Sequence, residues 1–246
     1  MSVKNRKQME LLVRVLHHLA ESFKEHAILK GGIELALFSS TRPTNDLDFV
    51  FVPYSSKKDV VNQIRTCLLA FDPAVQVRHQ ISSKNAKFYL ELEQIAIEVE
   101  VSVALSLESI SMNTSVLALP LKIPAQIIRV MKPEIALAHK IAAWNERRLL
   151  RDLYDIYFWF SVQRIWPDRD VLEQRLSRIE SRRAEHKSRK KMSVAELCEE
   201  LITEVDSITQ REIDMDLGSL PEGERLHLDV NLRSQIKRIV HLVLLK

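Results

Sequence analysis

Two carboxylates one residue apart, Asp46 and Asp48, follow a pair of adjacent glycines, Gly31 and Gly32. The glycines sit between an apolar run, Ala27-Ile28-Leu29, and a helix-like stretch, Ile33-Glu34-Leu35-Ala36-Leu37. The whole chain has four glycines, so spending two side by side signals a turn with special backbone needs. At a strand-to-helix turn, glycine lets backbone N–H groups approach a phosphate with no Cβ in the way. In a strand, residues i and i+2 share a face. Asp46 and Asp48 then point one way, while Leu47 and Phe49 point into a core. Paired carboxylates suit Mg²⁺, a hard cation held by one or two such groups together with substrate phosphates. A phosphate-accepting turn beside a divalent-metal pair is the minimum apparatus for transfer from a nucleoside triphosphate. Alone, a Gly-Gly pair is usually a plain turn and an Asp-x-Asp a surface feature. Order, spacing and apolar flanks make the combination specific.

The elements that must position these residues follow from periodicity. Met9, Leu12, Val13, Leu16 and Leu19 recur at helical spacing, so 5–25 is an amphipathic helix carrying His17 and His18 on its face. Residues 27–30 are a strand, 33–39 a short helix, and 46–52 the carboxylate strand. Ser55 or Ser56 caps a helix running to about Phe71. Three alternating runs read as strands: 75–80, 88–92 and 95–103. In the last, Ile95, Ile97, Val99, Val101 and Val103 face one side and Glu98, Glu100 and Ser102 the other. That polar side is either a solvated sheet face or the source of a third carboxylate, and the register between Glu98 and Glu100 stays open. Residues 104–121 show little periodicity and read as a loop. A short extended piece spans 121–130, and from Pro133 the pattern turns helical.

A second cluster lies at 134–158. Lys140, Arg147 and Arg151 are seven and four residues apart and line one face if the helix is continuous. Asp152 and Asp155 are neighbours at three-residue spacing. On charge pattern alone this is a salt-bridged surface helix. Residues 168–180, 193–206 and 229–245 read as further helices, and 207–228 as a loop. The segment 181–191 holds six basic residues, Arg182, Arg183, Lys187, Arg189, Lys190 and Lys191, against Glu185, a local charge of +5. It is either a solvated helix end or a patch facing RNA or a partner.

The pattern apolar–Gly–Gly, short helix, Asp–apolar–Asp–apolar resembles the DNA polymerase β-like nucleotidyltransferase superfamily. The ordered run from Lys140 through Arg147, Arg151, Asp152, Leu153, Tyr154 and Asp155 looks like the C-terminal motif of the AbiEii/AbiGii toxin family within it. The resemblance covers roughly 25–160. It implies an α/β (α+β) fold: a polymerase β-like domain with a mixed sheet over 1–130, then a helical domain over 131–246, with the active site in the cleft between them. It implies an Mg²⁺-dependent enzyme, the toxin of a toxin–antitoxin or phage-defence pair, moving a nucleotide from an NTP to RNA, the tRNA 3′ end among its targets, with an antitoxin protein as partner. Carried onto this chain, Gly31 and Gly32 cradle the triphosphate, and Asp46, Asp48 and Glu100, with Glu98 as the alternative, hold metal. Lys140 meets phosphate oxygens, Asp152 is a further essential acid, and Arg42, Arg147 and Arg151 are phosphate or ion-pair partners. The alternatives are a catalytically weak nucleotide-binding protein acting through a partner, and an enzyme modifying a protein or small-molecule hydroxyl.

Composition bounds these readings. The 246 residues suffice for one large or two small domains, and 46% hydrophobic residues can build a sizeable core. No run approaches the ~18 apolar residues of a membrane span. The basic N-terminal stretch lacks the apolar core of a signal peptide, so a cytoplasmic, non-membrane protein is expected. Cys67 and Cys198 lie far apart without metal-ligand spacing and read as buried thiols. Net charge is +3, so attraction for nucleic acid must come from local patches.

Overall fold

The computed structural model describes residues 3–178 and 191–244. Residues 181–190 of the basic stretch therefore lie outside the described residues. The chain divides into two compact units, Met1–Lys132 and Pro133–Lys246.

The first unit is built on a mixed seven-stranded sheet. Helix α1 (Val3–Phe23) leads through a 3-10 turn, Lys24–His26, into β1 (Ala27–Lys30), then α2 (Gly32–Leu37) and β2 (Asp46–Phe51). Helix α3 (Lys58–Leu69) precedes β3 (Gln76–Ile81), β4 (Ala86–Leu92) and β5 (Ile95–Val103). Strand β6 (Ser109–Asn113), α4 (Ser115–Ala118) and β7 (Ile127–Met131) complete the unit. The sheet order is β3-β4-β5-β2-β1-β7-β6. β2/β5 and β1/β7 are parallel, and the other neighbours antiparallel. Alternation sorts the side chains. Leu47, Phe49 and Phe51 of β2 join Val99, Val101, Phe88 and Leu90 in one core with Leu12, Leu16 and Leu19 of α1 and Val61, Ile64 and Leu68 of α3. The opposite face of these strands keeps the polar residues.

The structure corrects the sequence expectation in several places. Residues 104–121 are not a loop: they contain β6 and α4, because β6 takes its strand form from ladder bonds to β7. Helix α3 begins at Lys58, with the Ser56 hydroxyl accepting a bond from the Lys58 N–H at 3.3 Å. Within α1, His17 is buried, and its Nε2 is 2.8 Å from the Thr114 hydroxyl.

The second unit is helical: α5 (Pro133–Arg147), α6 (Leu150–Tyr157), α7 (Arg169–Leu176), α8 (Val194–Ser207), α9 (Gln210–Asp216), α10 (Glu222–Arg225) and α11 (Leu228–Leu244). Trp144 and Trp159 are both 1% exposed and fill its interior. The expected loop at 207–228 holds α9 and α10. Thr209 caps α9 by accepting from the Glu212 N–H while Glu212 accepts back. The run 134–158 is not one helix. Arg148 takes a left-handed φ of 53°, Leu149 is extended, and α6 starts afresh. The guanidinium of Arg148 stacks 4.2 Å above the Trp144 ring and pairs with Glu200 and Glu204, which holds a backbone conformation seldom taken by non-glycine residues. Lys140, Arg147 and Arg151 therefore do not share one helix face. Burial pushes the Cys198 thiol up to about 11. Among the described residues no helix is long and apolar enough to cross a membrane.

Candidate active site

Strand β2 begins with Asp46-Leu47-Asp48, and its alternation does what the spacing requires. Leu47 and Phe49 are at most 1% exposed, and the two aspartates stand on the other face. The Gly31-Gly32 turn lies against them. Gly31 has φ +83°, a conformation that only glycine adopts easily. A Cβ there would sit 3.1 Å from both Cβ and Cγ of Asp48, with its Oδ2 nearer still. A Cβ on Gly32 would sit 2.7 Å from Cβ of Thr44. Both glycines are thus needed for close approach of the turn to β2. The Gly31 N–H donates to Glu34 Oε2 at 3.2 Å, so the structure commits this backbone donor to a buried carboxylate of α2. Thr44, unnoticed in the sequence, is buried and its hydroxyl donates to Asp46 Oδ1 at 2.6 Å. The signal available was a small hydroxyl residue two positions before the carboxylate. Arg42 turns its Nη1 to the Pro43 carbonyl at 3.4 Å.

The β2/β5 ladder sets the register that sequence left open. Asp46 pairs with Glu98 and Asp48 with Glu100, so all four carboxylates belong to one sheet face. Lys87 of β4, opposite Glu100 in the next ladder, reaches both glutamates: Glu98 at 2.5 Å and Glu100 at 3.4 Å. The hydrogen bond to Glu98 raises the Lys87 pKa, burial opposes this, and Glu100 adds to the rise. The ammonium stays charged and holds the glutamate pair. Lys87 also escaped sequence reasoning, because the alternating run was read from 88 whereas β4 begins at Ala86 and sets Lys87 on the same face as Tyr89 and Glu91.

The second unit gathers its own charged cluster. Asp152 is 1% exposed. It accepts two bonds from Arg147, Nη2 at 2.6 Å and Nε at 3.0 Å, with Lys140 at 3.8 Å. Lys140 lies 2.7 Å from Asp155, itself fully buried. A planar guanidinium fork on a carboxylate is the strong form of such a pair. Arg151 stands apart, exposed on α6.

Among the described residues no group of three or more His, Cys, Asp or Glu side chains is placed to hold a metal ion. Asp46 and Asp48 offer a two-carboxylate, oxygen-only donor set, with the Gly31 backbone packed directly against Asp48. This fits a hard divalent cation that keeps waters and phosphate oxygens as its other ligands. The first unit also has a groove of about 620 Å³ between the end of α1 and β7, lined by Glu21, Lys24, Glu25, Ile127 and Arg129. It includes none of the candidate residues, and its size alone gives it no claim over the carboxylate face.

A family model described as nucleotidyl transferase AbiEii toxin, type IV toxin–antitoxin system, matches residues 14–234. No curated protein matches the chain. Among solved structures it is similar to MenT4, a nucleotidyltransferase toxin from Mycobacterium tuberculosis H37Rv, at 14% identity and TM-score 0.57 over 98% of this chain and 86% of that one. It is also similar to JHP933 from Helicobacter pylori, at 14% identity and TM-score 0.55 over 98% and 94%. A further H. pylori protein, described as a nucleotidyltransferase, matches at 13% identity and TM-score 0.57 over 99% of each chain. At such identities these likenesses speak to fold, and the mixed sheet followed by helices is common ground. The family match runs through both units and most of the sequence, so the chain belongs to the AbiEii toxin family and is a nucleotidyltransferase.

Proposed function

We propose that the chain moves a nucleotide from a nucleoside triphosphate onto the 3′ end of an RNA, with the tRNA 3′ end as the leading target and Mg²⁺ as the metal. The observation that carries this reading is the polar sheet face, where Asp46 and Asp48 adjoin the Gly31-Gly32 turn in register with Glu98 and Glu100. Asp46 and Asp48 would hold the metal, with Glu100, or Glu98 in its place, as the third carboxylate. Bound Mg²⁺ supplies charge stabilisation at phosphate oxygens and lowers the cost of ionising the attacking hydroxyl. That hydroxyl attacks the α-phosphorus. The new O–P bond forms as the bond to the bridging oxygen breaks, pyrophosphate leaves, and the hydroxyl proton passes to the glutamate. Thr44 fixes the orientation of Asp46 through its 2.6 Å bond. Little covalent chemistry is asked of the side chains, so positioning and charge carry the rate. Such a protein would arrest growth or act in phage defence, with an antitoxin protein as its counterpart. Because it draws on the nucleoside triphosphate pool, the cytoplasm is the compartment assigned.

The test is incubation of purified protein with each labelled triphosphate, Mg²⁺ and total RNA. Label should enter RNA with the wild type. It should fall by at least about 10²–10³ fold in Asp48→Asn, the loss typical of removing one preorganised electrostatic group. Label in protein instead of RNA would replace RNA as acceptor, and full transfer by Asp48→Asn would remove the metal assignment. In a bacterial host, induction should slow growth and Asp46→Ala should relieve it.

A further inference from the structure

The polar face of the sheet does not stop at the carboxylates. Directly paired residues on neighbouring strands share a face. Asp46 pairs with Glu98, Glu98 with Tyr89, and Tyr89 with Arg78. One row thus crosses β2, β5, β4 and β3, from the candidate metal pair to the free edge of the sheet. Strand spacing of ~4.8 Å puts Tyr89 about 10 Å and Arg78 about 14 Å from Asp46. Tyr89 is 37% exposed, and Arg78 is exposed at the edge. The row runs from acid through an exposed ring to a cation. Its second rank, Asp48–Glu100–Lys87–Gln80, also passes from acids to a cation and ends on an amide at the edge. Over residues 76–92 the β3–β4 hairpin carries Arg78, Lys84 and Lys87 against Glu91 alone. A solvated sheet face needs no such order. A single-stranded RNA does: its 3′ hydroxyl must meet the acids, its bases seek aromatic surfaces, and its phosphates seek cations.

We propose that the exposed face of β3 and β4 is the docking surface for the 3′-terminal nucleotides of the acceptor RNA, with Tyr89 stacking on a base near the 3′ end and Arg78 meeting a phosphate further back. This rests on RNA being the acceptor. Sequence readout is not implied, because every base has a face to stack. The surface selects single-stranded 3′ ends as a chemical class.

The test uses the full-length protein and an RNA oligonucleotide with 2-aminopurine near its 3′ end. Stacking on Tyr89 should quench the fluorescence with the wild type. Tyr89→Ala should weaken RNA binding and raise the KM for RNA by about 5- to 150-fold, the range for one lost base stack. Nucleoside triphosphate affinity should stay unchanged. Tyr89→Thr, which keeps strand propensity without a ring, should behave like alanine, and Tyr89→Trp should retain both quenching and KM. Arg78→Ala should flatten the slope of log affinity against log salt by about 0.7. If the wild type labels RNA while Tyr89→Thr and Tyr89→Ala keep its KM and quenching, the docking surface is refuted and the reaction stands. If the wild type labels no RNA at all, the acceptor assignment falls and this surface falls with it.

Discussion

Replacing Gly31 by alanine perturbs two things at once, and both can be sized. The backbone at φ +83° and ψ −142° lies in a region that residues with a Cβ avoid, at about 1–3 kcal/mol. The new methyl would also crowd Asp48, whose Cβ and Cγ lie 3.1 Å from its ideal position. Turning Asp48 off its rotamer to relieve this adds about 0.5–1.5 kcal/mol. The sum, about 1.5–4.5 kcal/mol, corresponds to a fall in unfolding temperature of roughly 3–18 °C for a chain of this size. Catalysis should suffer more than stability, because the carboxylate that must move is one of the two candidate ligands. Transfer should drop by about 10²–10³ fold. Gly32→Ala is the control. Its backbone is helical, so it carries no strain of this kind; its methyl instead falls 2.7 Å from the Thr44 Cβ, so Thr44 must shift and its bond to Asp46 is lost with the crowding. The assay is labelled-nucleotide transfer alongside thermal unfolding of both variants. A Gly31→Ala protein that unfolds and transfers like the wild type would refute the reasoning, since turn and carboxylate would then not be in contact.

Three further outcomes are expected. Lys87→Met removes a charge about 10 Å, two strand spacings, from the aspartates; Mg²⁺ affinity, read by calorimetry, should tighten on the order of two- to tenfold, and looser binding would contradict the placement of Lys87. Arg147→Ala leaves Asp152 buried with Lys140 at 3.8 Å, and should cost toward the low end of the roughly 3–5 kcal/mol for breaking a buried pair, because the Arg147 side chain is one-third exposed; an unfolding temperature within a degree of wild type would show the pair to be dispensable. Burial lowers the His17 pKa below 6.5, so the unfolded chain binds the proton more readily: stability is full above pH 6.5 and is lost as pH falls below it. The unfolding temperature of wild type should therefore drop more between pH 7 and 5 than that of His17→Gln, and parallel curves would exclude the effect.

What could be read in advance followed local periodicity. The alternation in 95–103 and the Asp46-Leu47-Asp48 pattern found β5 and β2 because one face of each is core. Strand β6, Ser109-Ile110-Ser111-Met112-Asn113, alternates over only five residues and buries neither face: it is a sheet edge whose form comes from β7, a partner with no trace in its own sequence. The break at Arg148 had no glycine or proline to announce it. It depends on Trp144, Glu200 and Glu204, and two of these are about fifty residues away. Lys87 and Thr44 were missed for the same reason: their roles exist only once strands pair or a turn closes.

The charge balance of the face explains why Lys87 belongs to the site. Asp46, Asp48, Glu98 and Glu100 would bring four negative charges to two neighbouring strands. Like charges this close repel. Two lysines flank them in register, Lys87 opposite Glu100 and Lys30 opposite Asp48. Each lysine cancels one charge, which leaves −2, the amount one divalent cation neutralises. The lysines thus offset that repulsion and let the strands form without metal. A face with no lysine would bind metal more tightly but fold less readily without it; a face with four would have no field left to attract the cation.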